Sequence, residues 1–204
     1  RRVLKLVRCW LKAGVMEGGV LTETITGTPQ GGVISPLLSN IYLHFLDAVW
    51  EKQCSQIGTL VRYADDFVVM CKTAEDAREA ERRIGIILER LKLTLHPEKT
   101  RRIDLSWGQE GFNFLGWYLR KQMSGRRKEQ GKHVYFLNRW PSAKSMTRVR
   151  QKVRGLVGPH RNGAKDVRVL IEDLNPVLRG WGNYFRTGNS ANKFLDMDTY
   201  VQGR

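Results

Sequence analysis

The chain has 204 residues, of which 41% are hydrophobic and 27% are charged, and its formal net charge is +15. This composition is typical of a globular protein, and the length allows one domain or one domain with a small second one. Cys9, Cys54 and Cys71 form no Cys-x-x-Cys pair, which argues against a zinc site, and no apolar run could span a bilayer. We therefore expect no membrane partner and a reducing, cytoplasmic environment.

The positive charge is concentrated in the second half of the chain. Residues 1–100 carry 14 Lys and Arg against 12 Asp and Glu, whereas residues 101–204 carry 21 against 8. Such an excess of positive charge attracts phosphate groups, so we expect a polyanionic partner for the second half. A basic but inert surface of the ribosomal type is the alternative interpretation.

The first quarter of the chain predicts a helix, a hairpin, a loop and a second helix. Apolar residues recur at helical spacing over residues 4–11, and residues 15–25 contain two arms around a Gly-Gly turn. Residues 27–32 hold three glycines, which allow a ligand to approach the backbone closely. Ser35 is the predicted N-cap of an amphipathic helix that ends near Lys52.

Two acidic residues then separate two runs that resemble strands. Leu60–Ala64 and Phe67–Cys71 are short and rich in β-branched and aromatic residues, so they predict a hairpin with Asp65 and Asp66 at its tip. Thr73 is the predicted N-cap of the helix that follows, because apolar residues recur behind it at helical spacing.

The second half predicts a β-rich segment followed by helices. Residues 96–100 predict a turn, residues 102–105 a short strand and residues 112–119 a longer strand. Residues 120–168 contain 15 Lys and Arg and only two acids, first in a predicted loop and then in a helix that begins near Ser142. Two or three further helices are predicted at residues 166–171, 175–185 and 190–201.

The adjacent carboxylates of Asp65 and Asp66 need an explanation. Two carboxylates at one turn repel each other, and a protein usually keeps such a pair only when a cation neutralises it. A divalent metal ion is the sharpest hypothesis. A solvated turn that merely separates two strands is the simpler alternative.

Five motifs follow one another along the chain, and their order is more specific than any one of them. They are Gly27-Thr28-Pro29-Gln30-Gly31-Gly32, Ser35-Pro36-Leu37-Leu38, Tyr63-Ala64-Asp65-Asp66, His96-Pro97-Glu98-Lys99-Thr100 and Phe114-Leu115-Gly116-Trp117. Together they closely resemble a group II intron reverse transcriptase. Gly163-Ala164-Lys165-Asp166 and the later segment Leu174–Arg186 resemble the maturase-specific thumb of that family, so the resemblance covers nearly the whole chain.

The resemblance implies an α+β fold. Residues 1–119 would form the C-terminal part of a reverse-transcriptase palm, an antiparallel sheet with packed helices and without the fingers. Residues 120–141 would form a basic connector. Residues 142–204 would form an all-α, maturase-specific helical thumb that is truncated at its end.

The resemblance also implies RNA-directed DNA synthesis with two Mg²⁺ ions, or Mn²⁺ as an alternative. Asp65 would be the bridging metal ligand and Asp66 a supporting one. Lys99 would help to neutralise or protonate pyrophosphate, although a solvated turn lysine is an equally good interpretation.

Further site residues follow from the same motifs. Tyr63 would lie near the primer terminus, and Ala64 would lie with the loop residues Pro29, Gln30 and Gly31 at the incoming nucleotide and its templating base. The primer strand would be supported by Phe114, Leu115, Gly116 and Trp117. The RNA backbone would be contacted by Arg148, Arg150, Lys152, Arg154 and Arg161, unless several of these only solvate a helix.

In one respect the chain departs from the family pattern. The family's third catalytic carboxylate lies on a strand before the opening helix, so we expect it upstream of Arg1 and expect these 204 residues alone to be inactive. The implied partners are group II intron RNA, an RNA template with a DNA primer, and deoxynucleoside triphosphates. Self-association through exposed palm surface is a further expectation, and the implied location is bacterial cytoplasm, in association with RNA or the nucleoid.

Three other functions compete with this interpretation. A non-catalytic RNA-binding maturase would use only the thumb, but binding alone has no need of Asp65 and Asp66. A related reverse transcriptase of a phage-defence or CRISPR adaptation system would share the palm motifs, and the thumb motifs argue against it. An inert basic DNA-binding protein would not explain the ordered motifs.

Overall fold

The computed structural model describes residues 2–12, 15–17, 20–22, 33–125, 129, 133–157 and 166–203. The chain divides into two compact units, residues 1–100 and residues 101–204. Their antiparallel sheets and separate helices make an α+β fold, as predicted. The boundaries of palm, connector and thumb remain predictions.

The first unit contains three helices and two antiparallel hairpins within its described residues. The elements are α1 (Arg2–Lys12), β1 (Val15–Glu17), β2 (Val20–Thr22), α2 (Ser35–Gln53), β3 (Gly58–Tyr63), β4 (Asp66–Cys71) and α3 (Ala74–Arg90). The opening helix, both hairpins and the two later helices are confirmed. The predicted glycine-rich loop at 27–32, with Pro29, Gln30 and Gly31, lies outside the described residues.

The core of the first unit lies between its long helices and one face of the β3–β4 hairpin. Helix α2 contributes Leu43, Leu46 and Trp50, and α3 contributes a buried stripe from Ala80 to Leu88. The indole N–H of Trp50 donates to the carbonyl of Gly58 at 2.9 Å, which joins α2 to the start of β3. The hairpin is therefore held against a helical layer, and its tip has a rigid base.

Of the two residues predicted to cap helices, one does so and the other does not. Thr73 caps α3 as predicted, since its hydroxyl accepts a hydrogen bond from the backbone N–H of Asp76 at 3.0 Å. The prediction for Ser35 is wrong, because Ser35 is already helical and Ile34 is the N-cap without a side-chain hydrogen bond. Pro36 in the first turn has no N–H to satisfy, which lowers the need for such a cap.

The second unit combines one three-stranded antiparallel sheet with three helices in its described part. The elements are β5 (Gly111–Phe114), β6 (Trp117–Met123), β7 (Tyr135–Pro141), α4 (Ala143–Val157), α5 (Val167–Phe185) and α6 (Ala191–Gln202). The strand order is β5-β6-β7. Val149 and Val153 of α4, Leu174 of α5 and Met197 of α6 form the buried centre of the helical part.

The structure corrects three predictions in the β-rich segment. Residues 102–105 form no strand. Residues 112–119 are not one strand, because Leu115 and Gly116 form a turn between β5 and β6. The predicted basic loop after residue 120 contains β6 and β7, which pair along seven residue positions from Trp117–Pro141 to Met123–Tyr135.

The helices of the second unit also differ from the prediction in one place. Helix α4 begins at Ala143, next to the predicted Ser142, and Asp166 caps α5 through the backbone N–H of Arg168 at 3.1 Å. The predicted break before Pro176 is wrong, because α5 continues through that proline. The flanking Leu174, Val177 and Leu178 pack in the helical core, and this burial offsets the hydrogen bond that proline removes.

Within the described part of the chain, every helix is too short or too polar to cross a membrane.

Candidate metal centre and nucleic-acid surfaces

The two adjacent carboxylates lie at the tip of the β3–β4 hairpin. Tyr63 pairs with Asp66, so Ala64 and Asp65 are the two central residues of the turn. Both aspartates are exposed. The predicted placement of Asp65 and Asp66 at a hairpin tip is confirmed, and the structure brings Tyr63 and Ala64 to the same tip.

Ala64 adopts a backbone conformation that is unusual for a residue with a side chain. Its φ is +53°, in the left-handed region, as the first central residue of a tight two-residue hairpin turn requires. That conformation costs roughly 1–2 kcal/mol for a residue other than glycine. Surrounding contacts must therefore stabilise the turn.

Arg62 supplies those contacts. Its guanidinium donates to the carbonyl of Ala64 at 2.7 Å and binds Asp47 of α2 through two hydrogen bonds, Nε to Oδ1 at 2.8 Å and Nη2 to Oδ2 at 2.5 Å. It also donates to the side-chain oxygen of Asn40 at 2.9 Å. One side chain thus joins the turn that carries both aspartates to the helix beneath the hairpin.

The Arg62–Asp47 pair is partly shielded from water. The side chains are 11% and 34% exposed, respectively. The hydrogen bonds from Arg62 lower the pKa of Asp47 despite the opposing effect of burial, and those to Asp47 raise the pKa of Arg62. Both groups are therefore held in their charged forms, as a two-point Arg–carboxylate contact requires.

Sequence reasoning missed Arg62 as a site residue, although a signal was present. Residues of β3 alternate between half-buried and exposed, and Arg62 falls on the half-buried side with Leu60. An inward-facing charge in an apolar strand requires a partner. The pattern therefore indicates a buried ion pair, but it does not identify Asp47 as the partner.

The carboxylates of Asp65 and Asp66 are available to a cation. Among the described residues, neither one accepts a hydrogen bond or forms an ion pair. Oxygen ligands of this kind are those that Mg²⁺ prefers. No group of three or more His, Cys, Asp or Glu lies together among the described residues, so this pair could supply only part of the ligands of a metal ion.

The face of the hairpin opposite the core is open and partly apolar. Val61, Tyr63 and Met70 are 41%, 66% and 55% exposed, respectively. Cross-strand pairing and alternation place them on the same face as Asp66. The acidic tip therefore borders an exposed, partly apolar surface.

Lys99 lies in the predicted turn but makes no contact with the aspartates. It is exposed, and its backbone N–H donates to the carbonyl of His96 at 3.1 Å. No hydrogen bond or ion pair joins its side chain to Asp65 or Asp66. Its predicted role therefore remains a prediction.

The predicted primer-supporting residues form a second tight turn, in the other unit. Leu115 and Gly116 have φ values of +49° and +82°. The carbonyl of Leu115 accepts a hydrogen bond from the Tyr184 hydroxyl at 2.8 Å, and that of Gly116 accepts one from the Ser145 hydroxyl at 2.8 Å and one from the Ser142 N–H at 2.9 Å. The turn is therefore bound to both α4 and α5.

Trp117 extends this attachment through its ring. It lies edge-to-face with Phe185, with ring centroids 4.7 Å apart, and beside Tyr184 at 5.9 Å. The Arg139 guanidinium lies 5.0 Å from the centroid of the Trp117 ring, at cation–π distance. Leu115, Gly116 and Trp117 thus contact the helices directly, and Phe114 joins them through its strand pairing with Trp117.

Helix α4 presents an exposed basic stripe. Arg148 and Lys152 are exposed four residues apart, and the exposed Lys144 continues the same line one turn earlier. Arg154 is exposed on a neighbouring line of the helix surface. Sequence reasoning missed Lys144, which its i−4 spacing from Arg148 could have indicated.

Two other predicted backbone-binding residues differ from that stripe. Arg150 is half-buried, and its guanidinium lies 5.5 Å from the centroid of the Tyr200 ring. It therefore also stabilises the packing of α4 on α6. Arg161 lies outside the described residues.

Two known families match this chain in sequence. Residues 4–119 match the family described as reverse transcriptase (RNA-dependent DNA polymerase). Residues 146–204 match the family described as group II intron, maturase-specific domain. The first match contains the acidic tip, and the second contains most of the basic stripe.

Three curated proteins show the same likeness. The group II intron-encoded protein LtrA of Lactococcus lactis subsp. cremoris is 26% identical over 193 residues, covering 64% of this chain and 32% of that protein. Protein YkfC of Escherichia coli (strain K12) is 33% identical over 155 residues, covering 60% and 40%. The "Uncharacterized 91 kDa protein in cob intron" of Schizosaccharomyces pombe is 25% identical over 269 residues, covering 98% and 32%. The chain therefore spans 32% to 40% of the length of these relatives.

Proposed function

The chain belongs to the family of group II intron reverse transcriptases and maturases, and from this membership we propose that it supplies the metal-binding and primer-supporting residues of an RNA-directed DNA polymerase. The same protein would act as an RNA-binding maturase in intron splicing and mobility. One observation carries the proposal: two exposed, adjacent carboxylates, unpaired among the described residues, lie on a turn that Arg62 holds in place.

The reaction joins the 3′-hydroxyl of a DNA primer to the α-phosphate of a deoxynucleoside triphosphate, and pyrophosphate leaves. Two bound divalent ions, Mg²⁺ or alternatively Mn²⁺, would supply activation of the hydroxyl and charge neutralisation of the leaving group. Asp65 is assigned as the ligand shared by both ions and Asp66 as a supporting ligand. Arg62 keeps both carboxylates at the tip by binding the carbonyl of Ala64.

Two carboxylates are too few to complete the ligand shell of two ions. Mg²⁺ requires near-octahedral geometry, with six ligands for each ion. The remaining ligands would be water, phosphate oxygens and a third carboxylate from outside the described residues. We propose that the 204 residues alone bind nucleic acid without extending a primer, and robust extension by the chain alone would contradict this expectation.

The other residues of the tip would position the substrates. Tyr63 is assigned to the primer terminus, since it is 66% exposed on the face that carries Asp66. Ala64, with Pro29, Gln30 and Gly31, is assigned to the incoming nucleotide and its templating base. Lys99 is assigned to pyrophosphate, for which its exposure leaves it available.

The second unit would hold the nucleic acid. The turn formed by Leu115 and Gly116, with Phe114 and Trp117, would support the primer strand, because its attachment to two helices keeps it rigid. Lys144, Arg148, Lys152 and Arg154 would contact phosphates of an RNA template or of intron RNA. The excess of 21 Lys and Arg over 8 Asp and Glu in residues 101–204 supports a polyanionic partner.

Two weaker expectations complete the proposal. Exposed apolar residues of α1 and α2, such as Leu4 at 72% and Ile41 at 62%, offer a surface for self-association. An RNA-associated location in bacterial cytoplasm would follow from the proposed partners.

Metal binding is the most direct test, because it does not require catalysis. Mn²⁺ titration of the chain, followed by electron paramagnetic resonance of the free ion, should show a site that Asp65→Asn and Asp66→Asn each weaken. Asp198→Asn, an exposed acid on α6, is the matched control and should bind as the unaltered chain does. Equal binding by all four proteins would overturn the assignment of the tip as a metal site.

Polymerisation is tested in the natural gene product on an RNA template with a DNA primer. Asp65→Asn should lower primer extension by at least about a hundredfold, the scale of losing one electrostatic stabiliser of a transition state. RNA affinity should change little, since the basic stripe is intact. A normal extension rate in this variant would refute the polymerase proposal.

The same extension assay, run beside a splicing assay on the unaltered gene product, separates the polymerase from a maturase that only promotes splicing. If the unaltered gene product assists splicing but extends no primer, the non-catalytic maturase is correct. If it extends primers but binds intron RNA no better than unrelated RNA, a related reverse transcriptase of a defence or CRISPR adaptation system becomes the better interpretation. The maturase-specific match at residues 146–204 argues against that second result.

A further inference from the structure

A cavity of about 430 Å³ lies on the second unit, beside the edge of its sheet formed by the ends of β6 and β7. It is lined mainly by Trp107, Gln109, Arg120, Lys121 and Tyr135, and we name it the Trp107 pocket. None of these residues has a role in the chemistry assigned to Asp65 and Asp66. The pocket therefore needs a separate explanation.

Trp107 is exposed although its loop is well held. Its side chain is 69% exposed. The loop is fixed by the carboxylate of Asp104, which accepts from the Ser106 N–H at 2.8 Å, and by that of Glu110, which accepts from the Asp104 N–H at 3.1 Å. Tryptophan and tyrosine are enriched at binding surfaces, so an exposed Trp107 on an ordered loop beside Tyr135 is a candidate contact residue.

Contacts between the loop and strand β6 order the pocket further. Arg120 donates to the carbonyl of Gly108 at 2.7 Å, and that glycine has φ +66°. A Cβ on Gly108 would collide with the carbonyl oxygen of Lys121, so only glycine allows the loop to lie this close to the strand. The position of Trp107 is thus set before any ligand binds.

The chemistry of the lining suits one nucleotide. Tyr135 lies edge-to-face with Trp107, with ring centroids 6.4 Å apart, and the indole remains open for stacking. Lys121 and Arg120 add positive charge beside the rings. Gln109 adds an amide that can donate and accept hydrogen bonds, as the edge of a base requires.

We propose that the Trp107 pocket binds one unpaired nucleotide of a single-stranded RNA segment, with the base on the indole and the phosphate near Lys121. A base inside a duplex is already stacked on both sides, so a lone protein ring selects unpaired nucleotides. The proposal rests on the proposed function only in taking RNA as the polyanionic partner. It adds a site that recognises single strands, separate from the basic stripe of α4.

The test is fluorescence anisotropy of labelled RNA with the full 204-residue chain. A 12-nucleotide RNA without self-pairing and a 12-base-pair RNA duplex are compared for the unaltered chain, Trp107→Ala, Trp107→Phe and the control Leu195→Ala. Leu195 is also largely exposed, at 64%, but lies on α6 away from the pocket lining. Circular dichroism and thermal unfolding check that every variant is folded.

Trp107→Ala should weaken binding of the single strand by about 5- to 150-fold, the usual range for losing one base–aromatic stack. Trp107→Phe should recover most of that loss, and duplex affinity should stay within about twofold, since the duplex presents no unpaired base. Lys121→Ala should lower the salt dependence of single-strand binding by about 0.7 units in log K against log salt, as for one lost phosphate contact.

The failures of the two proposals can be told apart. Single-strand affinity that is equal in Trp107→Ala and Leu195→Ala, or equal losses for single strand and duplex, would overturn the Trp107 pocket and would favour a protein as its occupant. Failure of the gene product to extend a primer, with the Trp107→Ala loss still present, would overturn only the polymerase. Absence of RNA binding by the unaltered chain would overturn the Trp107 pocket and leave the polymerase proposal to the extension assay.

Discussion

Two tight turns in the described part of the chain, Ala64–Asp65 and Leu115–Gly116, resemble each other at their first central residue and differ in what holds them. Each has a residue other than glycine at positive φ, Ala64 at +53° and Leu115 at +49°. The first is held by one guanidinium that reaches up from the packed side of the hairpin, and the second by hydroxyl and N–H groups that bind its own carbonyls. The bonds that hold the first turn therefore leave the carboxylates of Asp65 and Asp66 unused, whereas those that hold the second attach it to two helices.

Removing Arg62, which holds the first turn, should cause the largest loss of stability. Arg62→Ala leaves Asp47 without its partner and frees the carbonyl of Ala64, which should destabilise the chain by about 2–3 kcal/mol, below the usual cost for a fully buried pair because Asp47 is 34% exposed. Chemical denaturation measures the change. Mn²⁺ binding at Asp65 and Asp66 should weaken as well, since the tip loses its attachment to α2.

Arg82→Ala is the matched control for Arg62→Ala. Arg82 also binds a carboxylate, that of Glu79, but the two side chains are 56% and 36% exposed. Such exposed pairs contribute little to stability because water screens their charges. Equal losses of stability in the two variants would show that Arg62 and Asp47 form an ordinary surface ion pair and that Arg62 does not hold the acidic turn.

The second prediction concerns the Leu115–Gly116 turn. Gly116→Ala should destabilise the chain by about 1–2 kcal/mol, because the residue has φ +82° and its new Cβ would lie 3.0 Å from the Ser145 hydroxyl. Gly180→Ala on α5, where the added Cβ meets nothing within 4 Å, should instead be stabilising by up to about 1 kcal/mol. Thermal unfolding of both variants gives the comparison, and a stabilised Gly116→Ala would contradict the turn geometry.

The Arg62–Asp47 pair should also make the first turn sensitive to acid. The pKa of Asp47 is lower in the folded chain than its ordinary value of 3.8, so the pair's stabilisation is present above that value and is lost as the pH falls through the folded pKa. Asp47→Asn should therefore flatten the dependence of unfolding free energy on pH below about pH 4. If the unfolding free energy of Asp47→Asn falls with acid as steeply as that of the unaltered chain, other carboxylates cause the loss of stability.

The smallest expected effect comes from removing one hydrogen bond of the second turn. Tyr184→Phe removes the hydroxyl that binds the carbonyl of Leu115 and should cost about 0.5–1.5 kcal/mol, while the aromatic contacts with Trp117 and Phe185 remain. Urea unfolding measures it, and Mn²⁺ binding should not change. A loss of Mn²⁺ affinity in this variant would show that the second turn, too, controls the metal site.

Sequence patterns predicted the acidic hairpin because its information is local. Leu60–Ala64 and Phe67–Cys71 are each strand-like, and the residues between them favour a turn, so no distant contact is needed. Thr73 was predicted as a cap for the same reason. The contact between Arg62 and Asp47 joins residues 15 positions apart in different elements, and alternation shows only that Arg62 needs a partner.

The errors arise where distant contacts override local preference. Phe112–Leu119 reads as one strand, since leucine at positive φ has no sequence signature and the hydroxyl of Tyr184 is 69 residues from the carbonyl of Leu115 that it binds. Residues 102–105 contain apolar residues but have no strand to pair with among the described residues. Pro176 predicts a helix break, yet packing of Leu174 and Val177 keeps α5 continuous.

Arg62 holds the first turn in place without using the two acidic side chains that the turn exposes. The guanidinium binds a backbone carbonyl and two side chains of α2, so none of its bonds uses the carboxylates of Asp65 or Asp66. Those two positions are therefore open to redesign: replacing either aspartate by Glu, His or Cys should alter the choice of metal while leaving thermal stability nearly unchanged. Under the proposed metal assignment, the ligands at this tip can therefore change without refolding the helix beneath the hairpin.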